Sequence, residues 1–486
     1  MTINHLEPAG LWGYFEEICR IPRLSKNEGK IIEFLEDFAQ SHRLESKRDE
    51  TGNLLIKKPA SPGFENIKSV VLQSHLDMVG EKDADTIHNW ETDPIIPVID
   101  GEWIVAEKTT LGADDGIGIA AQMLLLADSN IMTGPIECLF TVDEESGMTG
   151  AKNLKSGFFE SSILLNLDSE DEGELFIGCA GGIDTIATLK YTSEKIPVNH
   201  IALELIVSGL LGGHSGDEIH RGFGNSVKIM NRLLLELDSS YGIHLSEFNG
   251  GNLRNAIPRE AFATIIVKDN ERVKVEKHIA EYCERVREEL GEIDPGLSIK
   301  VNDVVMPGSI IDRKSQESIN MALEKCPHGL IAWSKEMEGL VETSTNLASI
   351  RFIEDSTIKI VTSQRSSVES SKADLALRIE RIFREASADV YHPDGYPGWQ
   401  PNTNSEILGV TKSSYRNLFG TDPTVRAIHA GLECGLILEK FPGLDMISFG
   451  PTIKGAHTPL ERININTTMK FWMLLLEVLR NIPSED

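Results

Sequence analysis

Histidines and carboxylates recur in this chain where apolar runs end. In VVLQSHLD, residues 70–77, the run closes on His75-Leu76-Asp77. Strand residues two apart face the same side, so this spacing presents an imidazole and a carboxylate together. It does so at a strand's carboxyl end, where open α/β sheets hold their ligands. Taken alone, the pair reads as easily as a histidine satisfied within a turn. Two further runs end alike: residues 137–142 lead into Asp143-Glu144-Glu145, and residues 163–167 into Asp168. Asp114-Asp115 in LGADDGIG opens a helical pattern, where a single Asp commonly serves as the cap. His457 in FGPTIKGAHTPLE lies in a Gly- and Pro-bearing loop after the run at residues 445–449. Each has an ordinary structural reading, yet several strands ending in carboxylate or imidazole fit chance poorly. Two imidazoles with carboxylates and no thiolate suit zinc, or cobalt or manganese, better than magnesium or calcium. Two cations sharing one carboxylate need about five or six protein ligands, and His75, Asp114, Glu145, Asp168 and His457 supply that number.

The elements that must position these groups follow from periodicity. Residues 11–19, 29–38 and 116–127 show helical spacing, while residues 69–74, 137–142 and 162–167 read as strands rich in aliphatics on both faces. This is α/β character, expected to form a mixed, mainly parallel sheet with helices on both faces. From about residue 198 the order becomes strand, helix, strand, strand, helix: residues 200–208, 225–237, 242–247, 261–268 and 272–290. That order is of the ferredoxin-like, split βαβ kind. Helix, strand, strand, helix recurs at residues 315–324, 339–353, 357–363 and 371–386, so the middle region is expected to hold two such units. A Pro-, Gly- and Tyr-rich stretch at residues 391–401 marks a junction, after which a strand at 445–449 and a helix at 468–481 restore the first pattern. The expected architecture is a discontinuous domain, residues 1–190 and 395–486, with an α+β domain, residues 191–394, inserted into it.

Size and composition agree. A chain of 486 residues exceeds the roughly 250 to 300 that one core supports. The 47 Lys and Arg against 75 Asp and Glu give a net charge of -28, a field that repels nucleic acid and anionic lipid. The start of the chain lacks a secretory pattern and no apolar run approaches membrane-spanning length, so the expected location is the cytoplasm. Cys19, Cys138, Cys179, Cys283, Cys326 and Cys434 are dispersed without a CxxC pair and read as buried thiols.

Taken jointly and in order, SHLDMV, GADDGIG, FTVDEESGM, NLDSE, GGHSGDEIH, LRNAIP and GAHTPLE resemble the M20 family of metallopeptidases, most closely its Xaa-His dipeptidase branch. The likeness spans nearly the whole chain. It implies two divalent ions per subunit: His75 and Asp168 would hold one, Glu145 and His457 the other, and Asp114 would bridge them. It implies Glu144 as general base and Asp77 as the group that orients His75. The inserted domain would be a lid and the contact of a homodimer, with His214 of GGHSG offering an imidazole to the developing oxyanion, in its own subunit or across the dimer. Asn255 and Arg365 match substrate-touching positions, Arg365 being suited to a C-terminal carboxylate. Gly431 would lend its N–H to that carboxylate, and Glu433 would meet the substrate amine. Many members carry Lys two positions after the bridging Asp; here Gly116 stands there.

The implied activity is hydrolysis of Xaa-His and related dipeptides, β-alanyl-histidine included. An aminotripeptidase or N-acyl amino acid deacylase would share the metals and differ in the pocket. A silent peptide-binding scaffold would have lost Glu144 or a ligand, and all are present.

Overall fold

The computed structural model describes residues 3–216 and 218–485. The chain forms two compact units: Met1–Gly178, Pro401–Ala427 and Leu432–Asp486 make the first, Cys179–Gln400 and Ile428–Gly431 the second. The crossing falls at residue 178, not 190, because the strand Gly181–Lys190 pairs along its whole length with Thr357–Ser366. The return falls after residue 400, not at 395, because Cys179 and Trp399 exchange backbone hydrogen bonds. Ile428–Gly431 joins the second unit through the Ala180 N–H, which reaches the carbonyls of Ile428 and Ala430.

In the first unit, Val70–His75, Ile136–Thr141 and Ile163–Asn166 are buried at every position, as continuous apolar runs in central strands should be. They pair in parallel, and Asp445–Ser448 adds to Ile163–Asn166 in the same sense. Beyond these strands the pairing turns antiparallel: Leu54–Lys58 and Glu45–Arg48 on one side, Glu174–Cys179 on the other. The site residues emerge from the parallel strands at the centre of this eight-stranded sheet. Ala113–Ala127 packs on Val70–His75 and on Ala9–Cys19, while Glu406–Phe419 packs on Asp445–Ser448 and Ile465–Arg480. A four-stranded antiparallel sheet of short segments also includes Trp103–Ala106 and Arg462–Asn464. No described helix is long and apolar enough to cross a membrane.

The second unit contains both ferredoxin-like motifs, but they are nested and not in tandem. His200–Ser208, Ser226–Tyr241, His244–Gly251, Ala261–Lys268, Arg272–Leu290 and Ser298–Asp303 run strand, helix, strand, strand, helix, strand, with the sheet order fourth, first, third, second. The outer motif has the same order. It starts at Gly181–Lys190, continues only after the inner one with Arg313–Lys325, Val341–Ile353, Thr357–Ser366 and Glu369–Glu385, and closes with Asp389–Tyr391. The second strands of the two motifs pair at Gly250 with Ile350 and Gly251 with Ser349, making one continuous sheet. One apolar cluster, including Leu205, Leu234, Ile279, Ile319, Ile360 and Ile379, fastens the four helices to one face.

Candidate active site

The first unit brings the five expected ligands together at the carboxyl ends of its central strands. His75 Nε2 lies 3.1 Å from Asp114 Oδ1 and 3.3 Å from Asp168 Oδ1. His457 Nε2 lies 3.1 Å from Asp114 Oδ2 and 2.9 Å from Glu145 Oε2. Asp114 therefore spends one oxygen on each imidazole. Donor atoms of His75, Asp114 and Asp168 lie within 4.8 Å of one another, as do those of Asp114, Glu145 and His457. A third grouping, His75 with Glu144 and Glu145, competes for an imidazole nitrogen already facing two carboxylates.

The adjacent acids of LGADDGIG divide their roles. Asp114 and Asp115 both depart from helical backbone angles, so they point differently although neighbours. Asp115 Oδ1 accepts the Gly118 N–H at 3.1 Å and is the cap, while Asp114 faces the imidazoles.

Electrostatics show how strongly these groups act on one another. Burial pushes Asp168 up to about 7, with Asp114 adding to the shift and His75 opposing it. Burial and the neighbouring Asp168, Glu433 and Glu145 hold Glu144 well above the ordinary carboxylate range. Hydrogen bonds to Asp114 and Glu145 lift His457 to about 11. Burial alone would lower His75, yet Asp168, Asp114 and Asp77 hold it well above its usual value. Glu145 Oε1 is buried with no hydrogen-bond partner among the described residues. Carboxylates outnumber imidazoles, and divalent cations held at these groupings would supply the charge that lets the acids ionise together. The donor set fits such ions.

Asp77 does more than orient an imidazole. The closer acceptor for His75 Nδ1 is the Asp77 backbone carbonyl at 3.1 Å, its carboxylate lying at 3.6 Å. That carboxylate accepts the N–H groups of Glu144 and Glu145 at 3.0 and 3.1 Å and the Ser25 hydroxyl at 2.8 Å. One buried acid thereby fixes both the first imidazole and the turn that carries Glu144 and Glu145.

Two further supports escaped the sequence reading. Buried Arg23 donates to the carbonyls of Leu76 and Asp77 at 2.8 and 2.7 Å and to that of Gly112 at 2.5 Å, clamping the His75 and Asp114 segments together. Glu461 accepts four consecutive N–H groups: Leu111 and Gly112 on one oxygen, Ala113 and Asp114 on the other, at 2.7 to 3.4 Å. Being four residues beyond His457, it ties the two segments that face each other across the cluster. The GAHTPLE match pointed at Glu461; nothing local marks Arg23. The clamp also explains Gly116, since a Cβ there would stand 2.7 Å from the Arg23 guanidinium.

Glu433 belongs to the first unit but faces inward. It is fully buried, and its Oε2 accepts from Gln73 at 2.7 Å and Thr141 at 2.6 Å. Gln73 continues through Asn166 to Ser448 and Ser169, so Glu433 ends a polar chain crossing the central strands. These partners make one of its oxygens a support of the strand ends, while its Oε1 is buried with no hydrogen-bond partner among the described residues.

The remaining candidates lie in the second unit. The Ser215 N–H meets the Asn255 carbonyl at 2.8 Å and the Ile257 N–H meets that of Gly213 at 2.9 Å, zipping the His214 and Asn255 loops side by side. Buried Asn346 holds the second loop through the carbonyls of Arg254 and Ala256. Arg365 is 9% exposed; its Nη1 donates to the Tyr396 hydroxyl at 3.1 Å. Gly431 lies flat against the Tyr396 ring, 2.7 Å from where a Cβ would stand. Tyr396 thus joins Arg365 to Gly431.

The chain is similar to known proteins over its whole length. Over 483 residues, 99% of both chains, the sequence is 41% identical to the cytosol non-specific dipeptidase of Escherichia coli (strain K12). The crystal structure of aminoacylhistidine dipeptidase from Vibrio alginolyticus superposes with a TM-score of 0.95 at 42% identity, covering 100% of this chain and 99% of that one. A tripeptidase from Staphylococcus aureus, TM-score 0.57 at 17% identity and covering 98% and 99%, shares the fold alone. The model of peptidase family M20/M25/M40 matches residues 71–481, a span that begins within the His75 strand and encloses all five clustered ligands, and the chain belongs to that family.

Proposed function

We propose that this protein is a metal-dependent dipeptidase acting on Xaa-His and related dipeptides, β-alanyl-histidine among them. The observation that carries the reading is the pair of donor groupings sharing Asp114, with Glu144 beside them on a turn pinned by Asp77. His75 and Asp168 would hold one divalent ion and Glu145 and His457 the other, with Asp114 contributing to both groupings. Zinc suits the donor set, with cobalt and manganese as alternatives. When bound, the ions supply Lewis acidity to the scissile carbonyl and to the attacking water.

The chain's own residues do the rest. Glu144 takes the proton from the attacking water and passes it to the leaving amine. It can move that proton because its backbone is fixed through Asp77 while its carboxyl is left out of the ligand set. In the second unit, His214 donates to the developing oxyanion. Arg365, Asn255 and the Gly431 N–H take the free C-terminal carboxylate, which limits the substrate to a short peptide. That unit is also the homodimer contact in this reading, and the cytosol the place of action, as named for the E. coli relative.

A panel of dipeptides, tripeptides and N-acyl amino acids tests the proposal, on enzyme stripped by chelator and then reloaded with zinc, cobalt or manganese. Dipeptides should turn over fastest, and only after metal is restored. Turnover that survives complete metal removal, or a preference for N-acyl amino acids, would overturn it.

A further inference from the structure

In the second unit a small cavity of about 100 Å³ is lined by Gly182, Asp184, Asn255, Arg365, Asp394 and Tyr396. Its shape follows from strand register. Arg365 pairs with Gly182 and Ser363 with Asp184, so these four residues share the sheet face opposite the one packed by helices. Arg365 and Asp184 are diagonal neighbours, about 7 Å apart. The Tyr396 ring packs over Gly182, 2.6 Å from where a Cβ would stand, and forms the wall beside Arg365 and Asp184.

Both charged groups have capacity to spare. The Arg365 Nε is buried with no partner among the described residues, so the guanidinium can still pair with an anion. The Asp184 side chain is 12% exposed, and its recorded ionic partner is Arg254 at 3.0 Å, whose own side chain is 71% exposed. A largely exposed guanidinium there shows that Asp184 accepts a planar N–H cation, in an ion pair that solvent exposure keeps weak.

We propose that Asp184 selects the side chain of the substrate's C-terminal residue, accepting a hydrogen bond from a histidine imidazole while Arg365 holds the carboxylate of the same residue. This rests on the dipeptidase reading and deepens it. Carboxylate and imidazole leave one Cα by a few bonds each, which matches the diagonal span. The cavity has the volume of about three waters, room for a five-membered ring. A neutral apolar side chain would cover Asp184 without satisfying it, the situation in which a polar pocket discriminates strongly. An acidic side chain would face both Asp184 and Asp394. Imidazole is therefore preferred, aliphatic side chains follow, and carboxylates are rejected.

The test compares kcat/KM for Ala-His, Ala-Leu and Ala-Asp in the wild type, Asp184→Asn and Arg254→Gln, all metal-loaded. Asp184→Asn should lower the Ala-His to Ala-Leu ratio about tenfold or more and raise Ala-Asp relative to Ala-Leu. Arg254→Gln removes the competing cation and should keep or raise the preference for Ala-His. An Ala-His to Ala-Leu ratio that Asp184→Asn leaves unchanged overturns the proposal, and so does an equal fall of that ratio in Arg254→Gln, which would assign the effect to the lost ion pair. If the wild type hydrolyses none of the three, the dipeptidase reading fails and this one with it. Turnover with an unmoved ratio removes only the role of Asp184.

Discussion

The two units hold their functional groups in opposite ways. In the first, every orienting group is interior: Asp77, Arg23 and Glu461 are buried, and between them they fix the backbone on which His75, Asp114, Glu144 and Glu145 stand. In the second, Arg365 is buried, but Asn255 and Arg254 are exposed on a loop and His214 stands in a glycine-rich one. The difference matches the tasks. Metal ligands and a general base act only within a few tenths of an ångström of their proper places, which calls for groups locked by packing and hydrogen bonds. Recognition of a variable peptide tolerates loops that adjust.

The largest expected effect comes from removing the proposed general base from the rigid cluster. Glu144→Ala should lower kcat about a thousandfold while the protein keeps both ions, as measured by metal content after gel filtration. Loss of an ion would place Glu144 among the ligands, and near-normal turnover would end its role as base. Glu461→Gln should have a smaller effect of another kind. Each Glu461 oxygen accepts two N–H groups, so an amide puts a donor against at least one pair of donors and loosens the Asp114 loop. Cation affinity, read by chelator competition, should fall about tenfold to hundredfold. Unchanged affinity would mean that the Asp114 loop keeps its shape without this clamp.

How legible each unit was in the sequence follows the same division. Strand ends carrying His75, Asp168 and Glu145 could be read because buried parallel strands are uniform apolar runs with abrupt polar stops. Arg23 could not, since its three acceptors are backbone carbonyls 53, 54 and 89 residues away, and carbonyls have no sequence signature. The burial of Glu433 against Gln73 and Thr141 was not legible for a related reason: a glutamate near a motif carries no sign of which distant side chains it will meet. In the second unit, the bounds Ala261–Lys268 and Arg272–Leu290 followed directly from amphipathic spacing. The nesting did not, because Gly181–Lys190 precedes its motif by a whole inserted domain and pairs at long range. Local pattern reveals elements; it is silent on which strand a strand will choose.

The smallest expected effect tests whether the second unit has any interior polar device comparable to the clamp. His328 is such a group. Its Nδ1 accepts from the Leu347 N–H at 3.3 Å and faces the Asn225 amide at 3.2 Å, and Asn225 caps the helix Ser226–Tyr241. Burial, reinforced by the Lys228 ammonium, lowers His328 from 6.5 to about 4. The unfolded chain therefore binds a proton below about pH 6.5 that the folded chain refuses until about pH 4. Stability from this group is complete above pH 6.5 and is lost as pH falls through that window. Between pH 7.5 and 5.5 the loss should be about 1 kcal/mol. Hydrogen exchange of the helix Ser226–Tyr241 measures it, since a protonated Nδ1 can no longer accept and the cap loses its neighbour. His328→Gln should flatten that pH dependence while leaving the first unit's exchange unchanged. Equal acid sensitivity in wild type and variant would show that His328 is not the source of this unit's pH dependence.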